Sequence, residues 1–226
     1  MGDARKGDVR KGLGELLDLM LPRSCGGCGR AGTAWCAECA AALSGPPLRI
    51  RPRADPGVPC WALAGYRGAP RAAVLAVKEH CRWDLTKPLG VALARGLDRL
   101  RDTDRELILI PAPSRAVSAR RRGGDPVTRS AIVAASWLPG CRLVRMLRMR
   151  PGVRDSVGLG HSDRQHNLHG RIMVATTRPP GVLIPANAEV VLVDDVLTTG
   201  VTMRESVAAL ADADVTVRAV LVTCVA

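Results

Sequence analysis

The chain has 226 residues, enough for one ordinary domain and a small appendage. Of these, 47% are apolar, so a real core can form, yet only 2% are aromatic, which argues against a stacking platform for single-stranded nucleic acid. The net charge of +12 is uneven: residues 101–154 hold twelve arginines and four acids, which points to an anionic ligand, a nucleic acid or solvated arginine faces.

Residues 1–22 read as a charged start and an amphipathic helix. Leu13, Leu16, Leu17, Met20 and Leu21 share one helical face, expected to pack on the body of the protein or in a partner's groove. Glu15 and Asp18 interrupt this run, so it is not read as a signal peptide, and no apolar stretch is long enough to cross a membrane. A cytoplasmic protein is expected.

Cys25, Cys28, Cys36 and Cys39 follow, spaced C-x2-C-x7-C-x2-C. Each C-x2-C pair can chelate from a tight turn, and two pairs complete a tetrahedral thiolate shell. The expectation is a compact structural Zn²⁺ knuckle within residues 23–43, forming with the preceding helix an amino-terminal region 1–43, with free thiols or a redox pair as the other readings. Four thiolates leave no open position, so the metal is not catalytic. Of the other cysteines, Cys141 and Cys224 lie near or in apolar runs and suit a core.

Residues 44–60 are rich in Pro, Gly and Arg and read as a linker. A main domain is expected over 61–226. Trp61–Tyr66 suits an entering strand, and 69–80 and 88–100 show helical periodicity. Leu107–Ile110 is a buried strand stopped by Pro111, and Pro126–Trp137 a helix capped by Asp125. Residues 142–147, 171–175 and 215–225 read as strands. Arg120–Arg122 with Gly123–Gly124 reads as a mobile basic loop, a lid or a solvated charge run. Lys78 reads as solvated or as a diphosphate contact. His161, His166 and His169 read as surface residues rather than a metal site. Strands alternating with helices imply an α/β sheet, largely parallel.

The segment Val190–Thr202 is the most informative. Val190–Val193 is a continuously apolar, β-branched run, as in a strand covered on both faces. Asp194 and Asp195 end it. Unpaired carboxylates are too costly to bury, so they must face a crevice and find donors, for which a ribose diol is suited. Thr198, Thr199, Gly200, Val201 and Thr202 then turn into a helix over 203–210. Hydroxyls and free helix-start amides make an anion site. A diol site beside a phosphate site describes a ribose 5-phosphate. Neither the P-loop nor the dinucleotide glycine fingerprint is present.

Val190–Thr202 resembles the signature of the type I phosphoribosyltransferases, which bind phosphoribosyl pyrophosphate (PRPP). The whole chain is similar in order to the ComF family of competence-associated proteins, phosphoribosyltransferase-like chains with an amino-terminal cysteine zinc element. That resemblance rests on the Leu-rich start, the knuckle, Tyr66 with Lys78, Pro111-Ala-Pro-Ser-Arg115, Arg122-Gly123, Arg164 with Asn167-Leu168, and the signature. It implies a type I phosphoribosyltransferase-like fold, a mostly parallel sheet flanked by helices. It implies PRPP with Mg²⁺ as ligand, with Ser114 and Arg115 at the diphosphate, Asp194 and Asp195 at the ribose, and Thr198–Thr202 at the 5′-phosphate. It implies transfer of ribose 5-phosphate to an acceptor with release of pyrophosphate, or else a non-catalytic accessory role in DNA uptake or recombination, through protein partners or DNA. The chain departs from the family at Gly124-Asp125, where Phe-Asn is usual, and at Ser156, where glutamine is common.

Overall fold

A computed structural model describes residues 24–114, 116–150, 172–175 and 184–226. The elements in chain order are α1 (Ala37–Ala41), β1 (Leu48–Ile50), β2 (Cys60–Gly65), α2 (Gly68–His80), α3 (Thr86–Asp98), β3 (Leu107–Pro111), α4 (Ala116–Arg121), α5 (Pro126–Trp137), β4 (Cys141–Leu143), β5 (Leu147–Met149), β6 (Ile172–Val174), β7 (Glu189–Leu197), α6 (Val201–Ala211) and β8 (Ala219–Val225). A short 3-10 turn, Trp83–Leu85, joins α2 to α3.

Six strands form one sheet in the order β1-β2-β8-β7-β3-β4. All neighbours in it pair parallel except β1, which is antiparallel to β2. The central strands alternate between two cores, as a strand buried on both faces must. Leu107, Leu109, Val191, Val193 and Leu221 face α3 and α5. Ile108, Ile110, Val190, Leu192 and Val220 face α6, which contributes Met203 and Leu210.

The chain leaves β3 toward β4 and leaves β7 toward β8, on opposite sides, although β3 and β7 are neighbours. Chains that diverge in this way leave a crevice at the carboxyl ends of the two strands. The topology therefore decides where a ligand fits before any side chain is considered.

The expected elements are all present among the described residues, with four differences. The segment 44–60, expected as a linker, contributes β1 as an edge strand of the main sheet. Beyond β1, the Ala54 amide donates to the Thr199 carbonyl at 2.8 Å, so this stretch is tied to the body of the protein. Its prolines and arginines disguise a strand of only three residues, too short to show a period. The single strand expected over 142–147 is two. Cys141–Leu143 extends the main sheet beside β3, while Leu147–Met149 pairs antiparallel with β6 in a separate two-stranded sheet. Val144 and Met146, between them, are buried, so the apolar run reflects a chain leaving one sheet for another.

The strand expected to stop at Val193 continues to Leu197, and the acids pair within it: Asp194 lies opposite Val222. The basic run expected as a loop begins on α4 and closes with turns at Gly123 and Gly124. The amino-terminal face at Leu13–Leu21, the residues Ser156, His161, Arg164, His166, Asn167 and His169, and Arg115 lie outside the described residues. Asp125 caps α5 as expected, accepting from the Thr128 amide at 3.0 Å. Cys224 is fully buried, and burial pushes its thiol up to about 12, as suits an inert core residue.

Candidate ligand cleft and cysteine centre

A cleft of about 470 Å³ opens where the strands end. Three separate stretches, loops or strand ends, contribute to its walls: Tyr66 after β2, the loop Ala112–Ser114 after β3, and Asp194, Asp195, Val196, Thr198 and Thr202 from the end of β7 to the start of α6. Ala112 donates to the Val193 carbonyl at 2.8 Å, which fixes the second loop against the third.

Asp194 and Asp195 line this cleft side by side, and the Asp195 amide donates to Asp194 Oδ1 at 2.8 Å. Burial pushes the Asp194 carboxyl up to about 8; the adjacent Asp195 charge adds to this, while Lys78 opposes it. Lys78, in the last turn of α2, places its Nζ 2.8 Å from Asp195 Oδ1. Burial by itself lowers the Lys78 pKa, but the Asp195 and Asp194 charges outweigh it and the net shift is upward. The structure adds a role that neither sequence reading of Lys78 included, while the residue also lines the cleft. The lysine is an ion-pair partner of the acids.

Gly200 carries the bend between β7 and α6. Its φ is +89°, open to glycine at little cost, and an added Cβ would lie 2.5 Å from the Ala54 carbonyl oxygen and 2.6 Å from Pro52 Cβ. The segment 52–54 thus backs the bend on one side. On the other, Thr198 and Thr202 face the cleft, and residues 197–203 enclose a small hollow of about 30 Å³ with Asp194. Val201 and Thr202 belong to the first turn of α6, so the hydroxyls sit beside helix amides that lack intrahelical partners.

Ser114 lines the cleft, but its hydroxyl donates to Asp125 Oδ2 at 2.5 Å. It can therefore accept from a ligand donor and has no proton left for a phosphate oxygen. Asp125, read from sequence only as a helix cap, links the loop after β3 to α5 and adds a third carboxylate to the cleft. Its position is the one where the resembling family carries asparagine, which was the available signal.

Arg122 enters the sequence reading through the Arg122-Gly123 motif and the basic run, without a ligand role of its own. Arg120 and Arg121 are in the last turn of α4, while Arg122 follows it and lines the cleft. Its Nε is buried without a hydrogen-bond partner among the described residues. Buried guanidinium donors are costly to leave unpaired, so the cleft presents an unmet demand for an acceptor. Among the described residues the cleft thus sets two cationic side chains near three carboxylates.

The four expected cysteines also come together. All four Sγ atoms lie within 4.8 Å of one another, and Cys28 and Cys36 Sγ are 3.7 Å apart. A tetrahedral Zn–S shell with bonds of about 2.3 Å has sulfur–sulfur edges of about 3.8 Å, so the cluster has the size for such an ion. All four are free thiols. Burial opposes ionisation of Cys25, but amides of Cys28, Cys36 and Gly27 outweigh it and lower the thiol to about 6. Cys39 is shifted upward, by burial and by its cysteine neighbours. The four cysteines can hold a metal such as zinc.

The inner glycines let the knuckle dock. A Cβ at Gly26 would meet Leu85 Cδ1 at 2.3 Å, and one at Gly27 would meet Cys39 Sγ at 2.6 Å. Arg82 Nη2 donates to the Ser24 carbonyl at 3.0 Å, tying the knuckle to the turn before α3.

The fold is α/β and type I phosphoribosyltransferase-like, a mostly parallel sheet flanked by helices, with an amino-terminal four-cysteine cluster. Residues 151–225 match the family model of the phosphoribosyl transferase domain, a stretch that includes the acid pair, the threonine-glycine bend, α6 and β8. No curated protein matches the chain. Among the described residues, no helix is long and apolar enough to cross a membrane.

Proposed function

We propose that the cleft binds PRPP with Mg²⁺ and transfers its ribose 5-phosphate to an acceptor, releasing pyrophosphate. The observation that carries this reading is the meeting of the acid pair, the threonine bend and the loop after β3 around one cleft of about 470 Å³. Asp194 and Asp195 accept hydrogen bonds from the ribose 2′- and 3′-hydroxyls. Thr198, Thr199 and Thr202, with the amides of Gly200 and Val201, hold the 5′-phosphate. Arg122, Arg115 and the loop at Ser114 take the diphosphate, Arg122 through the buried Nε that lacks a partner among the described residues.

The oxygens of Asp125, Asp194 and Asp195 are the hard donors that Mg²⁺ accepts alongside substrate phosphates, so the residues present suit that ion. When bound, Mg²⁺ supplies charge neutralisation for the leaving diphosphate. As the C1–O bond breaks, the sugar gains oxocarbenium character and the pyrophosphate carries away the electron pair. Arg122 and Arg115 stabilise that developing charge. The remote 5′-phosphate holds the sugar so that C1 faces the acceptor, converting binding energy into orientation. The acid pair positions the ribose in this scheme and is not assigned as a general base.

The amino-terminal cysteine cluster ahead of the cleft-bearing domain leads us to assign the chain to the ComF group, with structural Zn²⁺ in the knuckle. Free thiols throughout suit a reducing, cytoplasmic setting. A second reading, an accessory protein that binds DNA or protein partners in DNA uptake or recombination, is favoured by the arginine surplus over 101–154. Calorimetric titration with PRPP and Mg²⁺ tests the first. Wild type binds, and Asp194→Ala/Asp195→Ala binds about 100-fold or more weakly while keeping its fold, a loss of about 2.7 kcal/mol. Unchanged affinity in the double variant refutes the diol role. Salt-dependent DNA binding indifferent to the double change, without PRPP binding, favours the accessory reading.

A further inference from the structure

The Arg122 side chain departs from a helix end of defined geometry. After α4, the Gly123 amide donates to the Arg120 carbonyl at 3.1 Å and the Gly124 amide to the Ala119 carbonyl at 2.9 Å. Gly123 has a φ of +72°, so two back-bonds and a left-handed glycine close the helix, with Arg122 as its cap residue. The helix itself has only 6 residues, too few to hold such a turn in place alone. A group outside α4 is needed to fix where Arg122 points.

Arg129, in the first turn of α5, supplies that group. Its Nη2 donates to the Gly123 carbonyl at 3.0 Å, and its guanidinium carbon lies 4.3 Å from the centre of the Trp83 ring. One planar cation thus bonds the turn with its edge and stacks with its face, which a lysine ammonium cannot do. Gly124 leaves room for it, since a Cβ there would lie 2.7 Å from Arg129 Nε. That is a physical reason for glycine at the position where the resembling family usually carries phenylalanine.

The floor under Arg129 is firmly held. Trp83 packs against the core cluster beneath α3 and α5, and Thr86 Oγ1 donates to its carbonyl at 2.6 Å. The two helices approach so closely that a Cβ at Gly90 would lie 2.6 Å from the Ser130 carbonyl oxygen, one residue from Arg129. Arg129 itself is exposed and does not line the cleft.

We infer that Arg129 is a positioning residue for diphosphate binding: stacked on Trp83 and bonded to Gly123, it holds the turn that directs Arg122 into the cleft. This rests on the diphosphate role proposed above for Arg122. Arg129 acts through Arg122 and makes no contact with the ligand.

Calorimetric titration of the full chain with pyrophosphate and Mg²⁺ tests this in a double-mutant cycle. Arg129→Leu is expected to weaken binding about fivefold and Trp83→Leu about threefold, with Trp83→Phe losing less because it keeps an aromatic face. In an Arg122→Ala background, Arg129→Leu is expected to change affinity by less than about twofold, because the residue it positions is gone. An equal loss in both backgrounds means that Arg129 attracts the anion directly, and overturns the inference. A fall in Tm with unchanged affinity, the mark of a merely structural contact, overturns it too. Loss at Arg122 without loss at Arg129 sinks the inference alone, whereas Arg122→Ala binding pyrophosphate as tightly as wild type removes the diphosphate reading and the inference with it. Circular dichroism checks the fold of each variant, and the exposed Arg129 carries the test if the Trp83 variants do not fold.

Discussion

The cysteine knuckle and the cleft at the strand ends are both announced by short motifs, yet they are opposites in how their polar groups are satisfied. In the knuckle, four thiols within a single short stretch converge on one point, and glycines allow the neighbours to close over them. In the cleft, an acid pair is pressed together with one carboxyl driven upward, and an arginine donor is buried without a partner among the described residues. Four converging thiolates would put the binding energy of a metal into folding, whereas a cleft with an unmet donor holds electrostatic stress that a ligand can relieve. The difference is a physical criterion for separating a structural centre from a working one, and it can be broken experimentally.

The largest effect is expected at the knuckle. Chelation of the metal, or Cys39→Ser, should cost about 3 kcal/mol or more and lower Tm by roughly 10 °C, because the remaining buried thiolates lose their compensating charge. Scanning calorimetry with elemental analysis reads both; an unchanged Tm after complete metal loss would remove the contrast altogether. PRPP binding at low temperature should survive, since none of the cysteines lines the cleft.

Next comes Gly200→Ala. The positive φ and the 2.5 Å approach to the Ala54 carbonyl leave no room for a Cβ, so denaturant unfolding should show a loss of about 2 kcal/mol together with weakened ligand binding. A neutral result would mean that the 52–54 segment yields easily and does not shape the bend.

Arg122→Ala should act on the ligand alone. Because the buried Nε has no partner among the described residues, its removal leaves Tm within about 1 °C of wild type while affinity for pyrophosphate or PRPP falls about tenfold, or about 1.4 kcal/mol. A drop in Tm without a change in affinity would make Arg122 a structural residue and erase the cleft's unmet donor.

The subtlest effect is in pH. The folded-state pKa of Asp194 lies above its ordinary carboxylate value, so the ligand-free fold holds this proton more tightly than the unfolded chain. Stability from this group is fully present below about pH 4 and is lost as pH rises through about 8. Ligand-free wild type should therefore lose more Tm between about pH 5 and about pH 9 than Asp194→Asn does. PRPP affinity should rise across the same window as the carboxylate forms. Parallel Tm profiles for the two proteins would show that Asp194 is already ionised at low pH.

Sequence alone determined what depends on neighbours along the chain. Cysteine spacing located the knuckle, continuous apolar runs located β3, β7 and β8, and hydroxyls with a glycine after an acid pair located the bend, because burial periodicity and turn chemistry are local properties. It misjudged β1, whose three residues are too few to show a period, and the run 142–147, where one apolar stretch serves two sheets. Only the tertiary structure brought Lys78 onto Asp195, turned Arg122 rather than Arg120 or Arg121 into the cleft, tied Ser114 to Asp125 and set residues 52–54 behind Gly200. Those approaches follow from strand order and from the divergence of the chain between β3 and β7, which place distant loops side by side. Charge and hydrogen bonding act through space, and no spacing along the chain encodes which loops will meet.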